Sequence, residues 1–345
     1  MTNTLSKLMR TAVVLLLSCV AVAQTAAVPA QTPSAVAVPV AASISTSAAT
    51  SVATSVAVPR VLLVVAHPDD EGCFAATVYE ISHNLGGKVD QLVITNGEGG
   101  YRYSLLAESY YGVALTDEAT GRAALPEIRK RELLDAGRVL GIGNHFFLDE
   151  RDLGYTQDID EVLQKHWHAG VVLPEVQRRI EAGNYDFVFT LFPSPQTHGG
   201  HKAATITALN AVQQMEGRKP VVLGCQTARS NAETQPVWKG FQSALHPFTV
   251  LPQVYSTDRT VKFGYNNALD YQIIVTWVIA SHKSQGTYGG VNRSDREDFV
   301  ILESGATDET ARADGLFHAI AAQAAHPRGV AASGAPAAGG GEGKH

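Results

Sequence analysis

The stretch "VLLVVAHPDDEG", residues 61–72, decides how the chain is read. An unbroken apolar run of strand length ends in His67, Pro68, Asp69, Asp70 and Glu71. A run that is apolar at every position, not at alternate ones, belongs to a strand buried on both faces, as in a parallel sheet covered by helices. Three acids side by side repel one another, so something must offset the crowding: water, a helix N-terminus or a metal ion. Helix capping alone accounts for Asp69, Asp70 and Glu71 as acids of the first turn of a helix starting near Glu71.

Outward from this stretch, apolar runs alternate with amphipathic segments. Strands are predicted over 60–66, 90–96, 145–150, 186–192 and 220–225, and helices over 71–85, 124–140, 171–182 and 201–215. The pattern predicts an α/β fold, a mostly parallel sheet covered by helices. In such sheets ligands bind beyond the carboxyl ends of the strands. His67, Asp69 and Asp70 follow the first strand, Gly97 and Glu98 the second, Asp149 to Asp152 the third and "FPSPQTHGGH" the fourth. All four groups are therefore expected on one rim.

Taken together, His67, Asp70 and the pair His198 and His201 offer imidazoles and a carboxylate from separate loops, a set that suits zinc with a position left open for water. Asp69 could then take that water's proton. Read alone, "HGGH" is a glycine loop with two surface histidines. Its placement at the end of a strand in the same sheet as "HPDDE" makes the joint reading the stronger one.

These residues resemble the LmbE and PIG-L-like zinc-dependent N-deacetylases, which carry "AHPDDE" after their first strand; residues 66–71 match it in full. "TNGEGG" (95–100), "RKRELLDAGRVLGI" (129–142), "HGGH" (198–201) and "HKSQG" (282–286) follow in the family's order. The resemblance implies a Rossmann-like α/β fold, with helices on both faces of the sheet, and hydrolysis of an N-acetyl group, usually on a glucosamine-type sugar. It implies His67, Asp70 and His201 as ligands of Zn2+ (Fe2+ being the alternative), Asp69 as general base and His198 as a charged imidazole steadying the oxyanion or protonating the amine. Arg129, Asp152 and His282 enter as substrate-binding residues on the same ground. Their plainer readings are a surface ion pair of Arg129 with Glu132, an exposed turn acid and a histidine at a helix C-terminus. The family reads His-Pro-Asp-His where this chain has Gly199 and Gly200, which removes a stiffening proline and a carboxylate.

The connection from Gly97 to Ala123 is long and holds Tyr101, Tyr103, Tyr110 and Tyr111. Tyrosines suit a saccharide, with the ring against the sugar face and the hydroxyl bonding; they also simply pin loops. "TNGEGG" lacks both the full glycine fingerprint and a P-loop lysine, which argues against nucleotide binding.

The ends of the chain read differently. Lys7 and Arg10 precede "TAVVLLLSCVAVA", and no charged residue lies between Thr11 and Pro59. That is the pattern of a cleaved signal peptide over 1–23, with a low-complexity linker over 24–59, the folded domain over 60–322 and a disordered tail over 323–345. The expected location is secreted or periplasmic, with lipoprotein anchoring at Cys19 as the second reading. Removing residues 1–23 takes the formal charge from −6 to −8, and no basic block is present, which argues against nucleic acid. Cys73 and Cys225 then remain; in an oxidising compartment they could pair, but the sequence gives no distance between them, and two isolated buried thiols are the first reading. Oligomeric state has no signature.

Two rival classes share these residues. One is a sugar-binding protein that keeps the metal without turnover, motivated by the altered "HGGH". The other is a non-haem iron oxygenase, because two histidines and one carboxylate also form that facial triad. A serine hydrolase is disfavoured because no G-x-S-x-G elbow occurs.

Overall fold

The computed structural model describes residues 58–152, 154–231, 238–286 and 293–324. The leader reading, nearly all of the linker and almost all of the tail lie outside the described residues.

Strands β1 (Arg60–Val65), β2 (Lys88–Thr95), β3 (Ile142–Glu150), β4 (Phe187–Leu191) and β5 (Val221–Ala228) are joined by β6 (Val250–Asp258) and β9 (Arg296–Leu302) in a seven-stranded sheet. A small hairpin, β7 (Lys262–Phe263) with β8 (Leu269–Asp270), stands apart from it. The order is β3-β2-β1-β4-β5-β9-β6. The first five strands are parallel, and β9 runs antiparallel to both neighbours.

Because side chains alternate along a strand, β1 feeds two cores at once. Val61, Leu63 and Val65 pack on one face with residues of α1 (Ala75–Tyr79), α3 (Glu118–Leu140), α7 (Tyr271–Ser281) and α8 (Glu309–Ala324). Leu62, Val64 and Ala66 pack on the other with α5 (Ala169–Gly183) and α6 (Gly199–Gln214). The short helices α2 (Leu105–Tyr111) and α4 (Ile159–Glu161) sit in the rim connections.

The helix expected over 71–85 is broken. It forms a 3-10 turn at Asp70–Cys73, then α1, then a wide turn at Glu80–Asn84. The cause is long-range: Arg259 Nη2 bonds the carbonyls of Gly72 and Cys73 at 2.9 and 3.4 Å, which takes them from the helical ladder. The strand order reverses between β1 and β4, so the crevice a doubly wound sheet opens at that switch point lies between the loops after these two strands. "HPDDE" and "HGGH" occupy those two loops.

Candidate metal and catalytic site

The three crowded acids go to three different cations. Asp70 Oδ2 accepts the backbone N–H groups of Ala66 and His67 at 3.0 and 2.8 Å, which folds the turn tightly. Its carboxylate faces His201 Nε2 at 3.1 Å and His67 Nδ1 at 3.6 Å. Asp69 stands at the N-terminus of the turn yet makes no capping bond; it pairs with Arg129 Nη2 at 2.9 Å. Glu71 is fully buried against His282. The capping reading of these acids is therefore set aside.

His67 Nδ1 and His201 Nε2 face each other at 3.0 Å, with Asp70 closing the triangle. One proton at most lies between two such nitrogens, so at least one lone pair points into the triangle. The outer nitrogen of His201 is held as a ligand histidine requires, its Nδ1 3.0 Å from Thr197 Oγ1, while His67 Nε2 faces Asp152 Oδ1 at the longer distance of 3.9 Å. Two imidazoles and one carboxylate with aligned inner donors fit a divalent cation of the zinc type. His198 brings a third ring nitrogen within 4.8 Å of the other two imidazoles. Asp70 is the better third ligand, because His198 Nδ1 is engaged as acceptor from the Gly200 N–H at 3.2 Å, capping α6. That bond leaves Nε2 of a neutral His198 carrying the hydrogen.

The electrostatics match this arrangement. Burial works to raise Asp70, but the imidazoles of His201 and His67 outweigh it and hold the carboxyl well below the usual range. Burial opposes a charge on His67, and Asp70, Asp152 and Asp69 overcome it, pushing the ring up to about 9. The cluster thus attracts positive charge, and a bound cation would displace that proton. Asp69 is raised, first by burial and then by Asp70, with Arg129 pulling against both. Burial, then His67 and His201, push His198 down to about 4. That direction favours the neutral imidazole over the charged one that the resemblance implies.

A cavity of about 280 Å3 opens over these groups, lined among others by His67, Asp69, Asp70, Arg129, Asp152, His198 and His201, with Tyr101, Arg102, Tyr103, Arg122 and Tyr155 around them. Tyr101 is buried and Tyr111 bonds Glu132, whereas Tyr103 is exposed at the rim. Arg129 is neither a surface ion-pair partner of Glu132 nor free to reach outward. It is 2% exposed, and its Nη1 also bonds the Gly97 carbonyl at 2.7 Å. Gly97 has φ 68°, and a Cβ there would meet Arg129 Nη1 at 2.6 Å and one on Gly100 would meet it at 2.7 Å, so these two glycines of "TNGEGG" admit the guanidinium. Asp152 faces His67 in the cavity wall. His282, at 2% exposure and bonded to Glu71, is absent from the cavity lining, which corrects the substrate-contact expectation.

Gly199 has a structural cause. The Gly199 N–H donates to the Thr156 carbonyl at 2.7 Å, and a Cβ on Gly199 would meet the Asp158 and Thr156 carbonyls at 2.9 and 3.0 Å. A proline at 199 would lose that bond and collide with the loop. The contact brings Tyr155 to His198, ring centroids 5.1 Å apart. Sequence reasoning missed Tyr155 and Thr197; the rim rule reaches Tyr155, which follows β3, but no periodic signal marks Thr197.

Residues 62–212 match the family model described as PIG-L, GlcNAc-PI de-N-acetylase. The match takes in less than half of the chain, and His67, Asp69, Asp70, Arg129, His198 and His201 all lie within it. A protein from Bacillus cereus named probable N-acetyl-alpha-D-glucosaminyl L-malate deacetylase 2 is 25% identical over 174 residues, covering 50% of this chain and 70% of that one. Among solved structures, N,N'-diacetylchitobiose deacetylase from Pyrococcus horikoshii matches at 20% identity and TM-score 0.36, over 48% of this chain and 59% of that one. The antimicrobial A40926 pseudoaglycone deacetylase matches at 16% identity and TM-score 0.48, over 72% of this chain and 99% of that one.

Proposed function

We propose that the chain is a zinc-dependent hydrolase that removes the acetyl group from an N-acetylated sugar or glycoconjugate. The observation that carries this reading is one cavity wall with two jobs. His67, Asp70 and His201 turn donor atoms toward one another, while Asp69, one residue from a ligand, is held apart by Arg129. The PIG-L match and the sugar deacetylase among its relatives support the reaction class.

Bound to His67, Asp70 and His201, the metal would polarise the amide carbonyl and acidify water. Asp69 takes the proton from the attacking water; its raised carboxyl is a better base than an exposed aspartate, and Arg129 fixes its direction. His198, neutral with hydrogen on Nε2, donates to the oxyanion that develops as the carbonyl is attacked. The proton held by Asp69 then reaches the departing amine, which leaves badly unless protonated. Tyr103 and Tyr155 give ring faces to the sugar. Export by the N-terminal leader, supported by Lys7, Arg10 and the apolar run after them, puts this chemistry outside the cytoplasm.

The test is acetate release from N-acetylglucosamine, chitobiose and chitotriose by the purified chain. Release that a chelator abolishes and added zinc restores is expected. A folded chain that binds one zinc ion yet releases no acetate from any N-acetylated sugar or glycoconjugate offered would overturn the reading in favour of binding without turnover.

A further inference from the structure

We propose that Cys73 and Cys225 form a disulfide that staples the ligand-bearing turn to the sheet. Their Sγ atoms lie 3.6 Å apart although the residues are 152 positions apart in the chain. Both are free thiols whose sulfurs are in van der Waals contact, not isolated from one another, and a bond of about 2.05 Å needs the two sulfurs to close the remaining gap. Cys73 is the last residue of the turn that carries Asp70 and Glu71. Cys225 lies on β5, paired with Leu191 of β4 and Phe299 of β9. The bond would join the metal-site turn to the middle of the sheet.

Access favours the reaction. Cys73 is partly exposed and Cys225 buried. Both line a second cavity of about 320 Å3 whose wall also includes Thr197 and, shared with the substrate cavity, Asp70 and His201. Neither thiol has a part in the proposed hydrolysis. The oxidant is a disulfide, such as oxidised glutathione or the active-site disulfide of an oxidoreductase in an oxidising compartment. The Cys73 thiolate attacks one sulfur of that disulfide, forming a mixed disulfide and expelling one thiolate. Burial, then Cys73, pushes the Cys225 thiol up, so it attacks the Cys73 sulfur while passing its proton to the departing sulfur, which leaves as the second thiol. Two thiols are oxidised, one S–S bond forms, and the oxidant takes up both electrons and leaves as two thiols.

The experiment uses the full chain carrying Cys19→Ser, so that only this pair can close. The folded protein is incubated with oxidised glutathione, blocked with a maleimide and digested with trypsin. The expected product is peptide 61–88 linked to peptide 219–229, two hydrogens lighter than the reduced pair. Tm should rise by roughly 4–8 °C and fall back on reduction. Cys225→Ser should remove both signals, and the comparison with and without reductant stands even where that variant folds poorly. Two maleimide-blocked peptides, a lasting glutathione adduct on Cys73, or linkage without a rise in Tm would each overturn the staple. None of these outcomes depends on whether the protein deacetylates sugars.

Discussion

On one side of the turn Asp70–Cys73, Glu297 and Arg259 are both fully buried and pair at 2.9 Å. Glu297 also accepts the N–H groups of Ala76 and Thr77 at 2.8 and 2.9 Å, so a residue from β9 serves as the anion at the N-terminus of α1. Arg259 in turn holds the carbonyls of Gly72 and Cys73. On the other side, His67, Asp70 and His201 crowd their donor atoms together, and Asp69 and Arg129 pair at the wall of a cavity. Both clusters are charged and buried, but the first is closed on itself while the second keeps lone pairs converging on one point. Satisfied buried charge is architecture; converging acceptors are the signature of chemistry.

The contrast predicts opposite responses to substitution. Asp69→Asn keeps an acceptor for Arg129 but removes the base, so kcat should fall by about 10²–10⁴-fold. Metal content and Tm should stay near the parent values. A loss of metal in this variant, read by elemental analysis, would mean that Asp69 is a ligand and would break the division of labour. Arg259→Met attacks the other cluster by leaving Glu297 buried without its cation, at a cost of about 3–5 kcal/mol in stability. Denaturant unfolding would check this, and adding Glu297→Gln to Arg259→Met should recover part of the loss. A double variant no more stable than the single would show that the pair does not set the cost.

Glu80 sharpens the comparison, because it belongs to the architectural side yet neither carboxyl oxygen has a hydrogen-bond partner among the described residues. Burial, then Glu297 and Asp258, push it from 4.5 up to about 9. Between those values the folded chain holds a proton at Glu80 that the unfolded chain has released. Stability is therefore lost as pH rises through that window, with a slope approaching ~1.4 kcal/mol per pH unit. Glu80→Gln should flatten that slope and stabilise the protein more at pH 8 than at pH 5. Melting curves at the two pH values decide it; equal shifts at both would mean that Glu80 is ionised in the folded state.

What the sequence made legible follows the same division. The apolar run over 61–65 and the polar residues at strand ends are local signals, and they located β1, β4 and the rim between them. Strand β9 was hidden because "REDFVIL" opens with Arg296, Glu297 and Asp298, which read as surface. Glu297 and Asp298 are buried nonetheless, Glu297 on Arg259 and Asp298 on Arg296. His282 was misread for a related reason: its partner Glu71 is 211 positions away, and a helix-end histidine needs no partner to look at home. Long-range pairing leaves no periodicity to read.

The smallest effect tests the point where sequence and site diverge most, the glycine pair in "HGGH". Read against the family pattern, Gly199 and Gly200 are a loss. In the fold, the absent side chain at 199 admits the carbonyls of Thr156 and Asp158, and Lys202 Nζ ties the same loop through the Gln157 carbonyl at 2.8 Å. What the exchange gains is Tyr155, 63% exposed, in the cavity wall beside His198. If its ring is a platform for the sugar, Tyr155→Ala should raise KM by about 2–12-fold, the worth of one aromatic contact, with kcat nearly unchanged. Tyr155→Phe should keep KM close to the parent value. Gly199→Ala should raise KM in the same way by pushing the loop off α6, without altering Asp69 or the ligand triad. A fall in kcat with KM unchanged in Tyr155→Ala would assign the ring to orienting His198, and the glycine pair would then serve catalysis rather than substrate choice.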